Sequence, residues 1–170
     1  MTATTSANDP VVAYNENNFS RETAMNEVKT ILLVEDNPQD EMLILRSLRK
    51  VNLANQVDVA RDGQQALDYL FREGEFAERS GPELPAVVLL DINLPRVNGL
   101  EVLERLRADQ RTRLLPVVIL TSSDEERDRL KSYQQGANSF VRKPLDFTEF
   151  AEAVARLGVY WLALNLPPKG

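Results

Sequence analysis

The chain has 170 residues, 43% hydrophobic and 27% charged, with a net charge of −6 and neither cysteine nor histidine. Disulfides, zinc-thiolate sites, thiol catalysis and histidine general bases are thereby excluded, which leaves carboxylates, hydroxyls, lysine and hard cations to carry any chemistry. The acidic balance disfavours nucleic acid as a partner, and the apolar runs are too short to span a membrane. The N-terminus lacks the basic and apolar regions of a signal peptide, so a cytoplasmic protein is expected.

Residues 1–28, rich in Thr, Ser, Asn and Glu, read as a flexible N-terminal tail. Periodicity begins at "KTILLVEDNP", with a strand expected over 30–34. Asn37 and Pro38 then suit the N-cap and first position of a helix to about Lys50. A strand at 56–60 alternates polar and apolar residues, as an edge does, and Asp62 opens a helix to about Arg72. The long connection "FREGEFAERSGPELP" leads to an apolar strand at 86–90 and a helix from Asn98 to about Ala108. A fourth strand, 116–120, is again apolar, and Ser123 with Glu126 has capping-box spacing for a helix ending before Gly136. A weak fifth strand at 138–141 precedes Asp146 and a long helix to about Leu164. In that helix Phe147, Phe150, Ala151, Val154 and Leu157, continued by Trp161, form a core-facing stripe.

This alternation predicts an α/β fold, a doubly wound five-stranded parallel sheet. Such sheets carry ligands beyond the carboxyl ends of their strands. Strand one ends in Glu35-Asp36, strand three in Asp91, strand four in Thr121 and strand five in Lys143. In the order 2-1-3-4-5 these ends share one rim. Two carboxylates roughly 4 Å apart repel by about 4 kcal/mol at an effective dielectric near 20. Three such pairs rival a domain's net stability of ~5–15 kcal/mol. Lys143 offsets part of this, and a bound cation, Mg2+ with Mn2+ as its substitute, is the expected remedy. Beside it Asp91 is a nucleophile toward phosphorus, with Thr121 and Lys143 set to receive phosphoryl oxygens. Singly, each residue has a plainer reading: acids at a helix N-terminus, turn chemistry, a surface lysine. Their joint placement favours a phosphoacceptor.

The segments "LLVEDNP", "LLDINLPRVNGLEVL", "VVILTSS" and "FVRKPL" occur in the order found in receiver domains of bacterial two-component response regulators. Residues 29–158 resemble that family, which has a flavodoxin-like fold. The resemblance implies that Asp91 takes a phosphoryl group from a sensor histidine kinase. It also implies that Asp36, Asp91 and the backbone carbonyl of Asn93 bind Mg2+ directly, with Glu35 acting through water. Thr121 and Phe140 match the family's switch pair, and Lys143-Pro144 its turn, often a cis peptide. Glu35 departs from the commoner Asp but keeps the charge, and Ser122 is small enough to admit a phosphoryl group. The protein would then be no enzyme beyond its own phosphotransfer and phosphoaspartate hydrolysis.

The long connection before the third strand and the ending "VYWLALNLPP" further resemble single-domain regulators paired with phytochrome histidine kinases. In that subfamily the fourth helix, fifth strand, fifth helix and C-terminal tail often make a homodimer. Residues 159–170 are accordingly read as a C-terminal extension with dimer contacts at Tyr160, Trp161, Leu162 and Leu164, although core packing is the plainer reading of Trp161. A downstream phosphotransfer protein would be a further partner. Two other classes compete. One is a receiver-like interaction module acting without phosphorylation. The other is a haloacid-dehalogenase-type phosphatase, which needs a second acid where this chain has Asn93.

Overall fold

The computed structural model describes residues 29–51 and 55–168, so the expected tail at 1–28 lies outside the described residues. The strands are β1 (Lys29–Val34), β2 (Asn55–Ala60), β3 (Val87–Leu90), β4 (Val117–Thr121) and β5 (Ser139–Arg142). They pair in parallel in the order β2-β1-β3-β4-β5, the doubly wound arrangement expected. Between them run α1 (Pro38–Lys50), α2 (Gly63–Phe71), α3 (Gly99–Ala108), α4 (Glu126–Gln134) and α5 (Phe147–Val159).

Helices cover both faces, which is why the central strands are apolar without alternation. Leu32, Val34, Val88, Leu90, Val117 and Ile119 pack with residues of α2 and α3. Ile31, Leu33, Val87, Leu89, Val118 and Leu120 face the other way, toward α1 and α5. Among the described residues no helix is long and apolar enough to cross a membrane.

Four helix starts follow the expected local chemistry. The side-chain oxygens of Asn37, Asp62, Asn98 and Asp146 each accept a backbone N–H two or three residues on, at 2.8–3.1 Å. Each cap contributes about 1 kcal/mol. The expected capping box at Ser123 does not form. Glu125 occupies the cap of α4 without a side-chain bond; the Ser123 hydroxyl donates to Asp128 at 2.7 Å, and its oxygen accepts the Glu125 N–H at 3.4 Å, ahead of the helix.

The last helix departs from expectation in two ways. Phe147 is 69% exposed rather than part of the core stripe, whose buried members are Phe150 and Val154. Close approach between α5 and α1 occurs three turns later, at Gly158, where an added Cβ would lie 2.9 Å from Leu48. Beyond α5 the helix widens into a π-turn, Tyr160–Leu164. That turn faces both Trp161 and Leu162 inward, onto the α1/α5 side of the core, and the Lys29 ammonium donates to the Leu162 carbonyl at 2.5 Å. Of the four residues expected at a dimer contact, only Tyr160 and Leu164 are exposed.

One close approach shapes the loop after β3. A Cβ added at Gly99 would lie 2.0 Å from the Asp91 carbonyl oxygen, and the Gly99 N–H donates to Ile92 at 2.8 Å. Backbone on both sides leaves nothing flexible to yield. Gly99→Ala is therefore expected to cost at least about 1–3 kcal/mol, read as a lowered midpoint in urea unfolding.

Candidate functional site

The parallel register carries the site. Ladder bonds continue one residue past the strands: Glu35 N–H to Ala60 at 3.0 Å, Asp91 N–H to Val34 at 3.1 Å and Lys143 N–H to Thr121 at 2.8 Å. Val34 is level with Leu90, and Thr121 with Arg142. The next residues along, Glu35, Asp91 and Lys143, thus meet at the rim, beside Thr121.

Glu35, Asp91 and Lys143 are 1%, 6% and 7% exposed, values that charged residues reach only when paired. The Lys143 ammonium donates to Glu35 Oε2 at 2.6 Å, Asp40 Oδ2 at 2.9 Å and Asp91 Oδ2 at 3.1 Å. Sequence reading missed Asp40. Its only signal is an acid in the first turn of α1, a common feature with an ordinary explanation in the helix dipole. Its partner lies 103 residues away.

Oxygens of Glu35, Asp36 and Asp91 all lie within 4.8 Å of one another. Three hard oxygen donors with excess negative charge fit a divalent cation of the Mg2+ or Mn2+ type. Asp36 is exposed, so the cluster opens to solvent on one side. Asp91 Oδ1 also accepts the Asn93 N–H at 3.3 Å.

Thr121 is fully buried, and its hydroxyl oxygen accepts the Ser123 N–H at 3.2 Å. Phe140 is half-buried against the α2/α3 side of the core. Both expected switch residues therefore sit on neighbouring strands, paired β4 to β5. Among the described residues no peptide bond is cis. The bond before Pro144 is thus trans, the intrinsically favoured isomer, where the resemblance implied one that is often cis.

Burial pushes the Glu35 carboxyl up to about 7, and Asp91 adds to the rise, while Lys143 and the Asn37 N–H pull the other way. Burial alone would lower the Lys143 ammonium, but Asp91, Glu35 and Asp40 together hold it above the ordinary lysine value. The lysine stays charged, and Glu35 is the group poised to titrate.

The open parallel sheet, with acids and a lysine gathered at the carboxyl ends of its strands, is the architecture of a receiver domain. The chain belongs to the response regulator receiver domain family, whose profile matches residues 31–155. It is 41% identical to the probable methanogenesis regulatory protein FilR2 of Methanothrix harundinacea over 81% of this chain and 86% of that protein. The crystal structure of the Mn2+-bound response regulator Rcp1 superposes with a TM-score of 0.77 at 32% identity, covering 83% of this chain and 99% of the other; the curated Rcp1 is from Synechocystis. The bacteriophytochrome response regulator RtBRR is 53% identical over 84% of this chain and 86% of its own, with a TM-score of 0.66.

The raised Glu35 value has a defined sign. The folded chain holds a proton between about 4.5 and 7 that the unfolded chain has lost, so this group stabilises at low pH and the gain disappears as pH rises through 7. Without divalent cation, lowering the pH from about 8 to 6 should add about 1 kcal/mol of stability from Glu35. Thermal unfolding of the wild type and of Glu35→Gln, which cannot titrate, isolates that contribution.

Proposed function

We propose that this chain is a response regulator that accepts a phosphoryl group on Asp91 from a sensor histidine kinase, of the phytochrome class, and signals through changed protein contacts. The observation that carries the reading is the convergence of Lys143, Glu35 and Asp36 on one buried aspartate, Asp91.

An Asp91 oxygen attacks phosphorus as the donor's phosphorus–nitrogen bond breaks, leaving an acyl phosphate. Lys143 already points an N–H at Asp91 and supplies charge where the phosphoryl oxygens arrive. Mg2+ held by Glu35, Asp36, Asp91 and the Asn93 carbonyl would neutralise charge on the transferring group. Thr121, buried at the end of β4, can donate its hydroxyl proton to a phosphoryl oxygen. Moving that side chain inward vacates space toward Phe140, whose half-buried ring can then follow.

The phosphatase reading is disfavoured by Asn93, whose carboxamide has no acidic proton for a leaving group. The protein is thus proposed as a cytoplasmic signalling switch rather than an enzyme acting on external substrates. Its affinity for a phytochrome-class kinase is supported by the likeness to RtBRR. Self-association is supported by the exposed apolar side chains of Val159, Tyr160 and Leu164 at the end of α5.

Intact-mass spectrometry after incubation with acetyl phosphate tests the chemistry. A single phosphoryl group should appear on the wild type with Mg2+, and be lost without Mg2+ or in Asp91→Asn. Equal labelling of Asp91→Asn would remove Asp91 from the role. Phosphorylated phytochrome-class kinase should pass its label to the wild type alone.

A further inference from the structure

The strongest feature that the proposed switch leaves unused is Asp40. It is the third residue of α1, where an acid normally turns back to bond the N-cap N–H. Here that N–H, on Asn37, donates to Glu35 Oε1 at 3.1 Å instead. The helix end is thus satisfied without the Asp40 side chain, and its backbone N–H is held by Asn37 Oδ1 at 3.1 Å. The freed carboxylate reaches Lys143 Nζ at 2.9 Å. Nor does Asp40 belong to the acid cluster, which comprises Glu35, Asp36 and Asp91.

An ammonium has three protons. Glu35 at 2.6 Å and Asp40 at 2.9 Å take the two shorter contacts, and Asp91 at 3.1 Å takes the third. We infer that Asp40 is a positioning residue: with Glu35 it orients the Lys143 ammonium so that one N–H stays aimed at the phosphorylation position on Asp91. A lysine tail otherwise rotates about four carbons. Two anchors on different elements, the end of β1 and the first turn of α1, remove that freedom before the phosphoryl group arrives. Preorganised donors of this kind act on the rate of the chemical step rather than on donor binding.

The inference rests on the phosphoacceptor reading for its kinetic consequence, but its structural part stands apart. In resting protein, the Lys143 ammonium should give a slowly exchanging 15N-detected resonance in the wild type and in Asp40→Asn, whose amide oxygen still accepts. That resonance should vanish in Asp40→Ala. In single-turnover phosphorylation by acetyl phosphate with Mg2+, Asp40→Ala should lower the maximal rate about tenfold and leave the half-saturating donor concentration unchanged. Asp40→Asn should recover most of that rate. Mg2+ affinity by calorimetry should stay within about twofold in both variants, because a residue outside the metal's acids contributes only through distant charge.

Several results would overturn it. Faster phosphorylation in both variants would make Asp40 a source of repulsion instead of an anchor. A parallel loss of Mg2+ affinity would make it part of the metal site. A Lys143 resonance unchanged in Asp40→Ala would show that Glu35 and Asp91 suffice. Failure of the wild type itself to take up a phosphoryl group would sink the phosphoacceptor reading, and the ammonium resonance would still decide whether Asp40 holds Lys143.

Discussion

Among the described residues, Lys143 is the cation that pairs with Glu35, Asp91 and Asp40, with Asp36 at the mouth of the same pocket. Ammonium and carboxylates buried to this degree are tolerable only together, since each alone would lose several kcal/mol of hydration without compensation. The rest of the architecture serves that meeting. Parallel pairing sets the ends of β1 and β3 level, so that Glu35 and Asp91 leave the sheet side by side. The pairing of β4 with β5 delivers Lys143 next to Thr121. A slip of one residue in any of these ladders would turn the charged side chains to the opposite face and break the set.

The opposite end of the sheet is closed by different means. The π-turn after α5 lays Trp161 and Leu162 over the core and anchors the chain to Lys29 at the start of β1. The connection from α2 to β3 is clamped by Arg79, which lies 4.1 Å over the Tyr69 ring and donates to the carbonyls of Pro82 and Glu83. Tyr69 in turn donates to Asp58 on β2 at 2.5 Å. These contacts lie away from the charged rim and do not depend on its charge balance.

Most of the fold was legible because its determinants are local. Unbroken apolar runs at β1, β3 and β4 mark strands covered on both faces, and Asn37, Asp62, Asn98 and Asp146 mark helix starts through bonds spanning only two or three residues. The candidate site was legible for a related reason: each member terminates a strand, so topology alone gathers them. What escaped depends on tertiary competition. Ser123 has the right spacing for a cap, yet α4 begins later, with Glu125 at its cap. Leu162 is buried beside Trp161 on a π-turn that no local pattern in the sequence marks. Asp40 looks like any acid in a first helical turn until Glu35 is seen to hold the N–H it would ordinarily take. Gly99 lies within the segment "LLDINLPRVNGLEVL", but only the 2.0 Å approach of the Asp91 carbonyl explains the absence of a side chain.

The same excess of carboxylates that strains the resting pocket makes it responsive. With one ammonium set against four acids, Glu35, Asp36, Asp40 and Asp91, the pocket keeps an excess of negative charge that would favour a divalent cation. On the proposed reading, a phosphoryl group would bring negative charge to the same place and would be held best with cation and ammonium both in position, which would couple the two events thermodynamically. The sharing of Lys143 also bears on the direction of the response. Its longest contact is to Asp91 at 3.1 Å and its shorter ones are to Glu35 and Asp40. The ammonium is therefore anchored by residues that modification leaves unchanged, and only its weakest bond has to be exchanged for one to a phosphoryl oxygen. On the proposed reading, rearrangement then falls on Thr121 and Phe140, which make no such ion pairs, and passes along β4 and β5 toward α4 and α5.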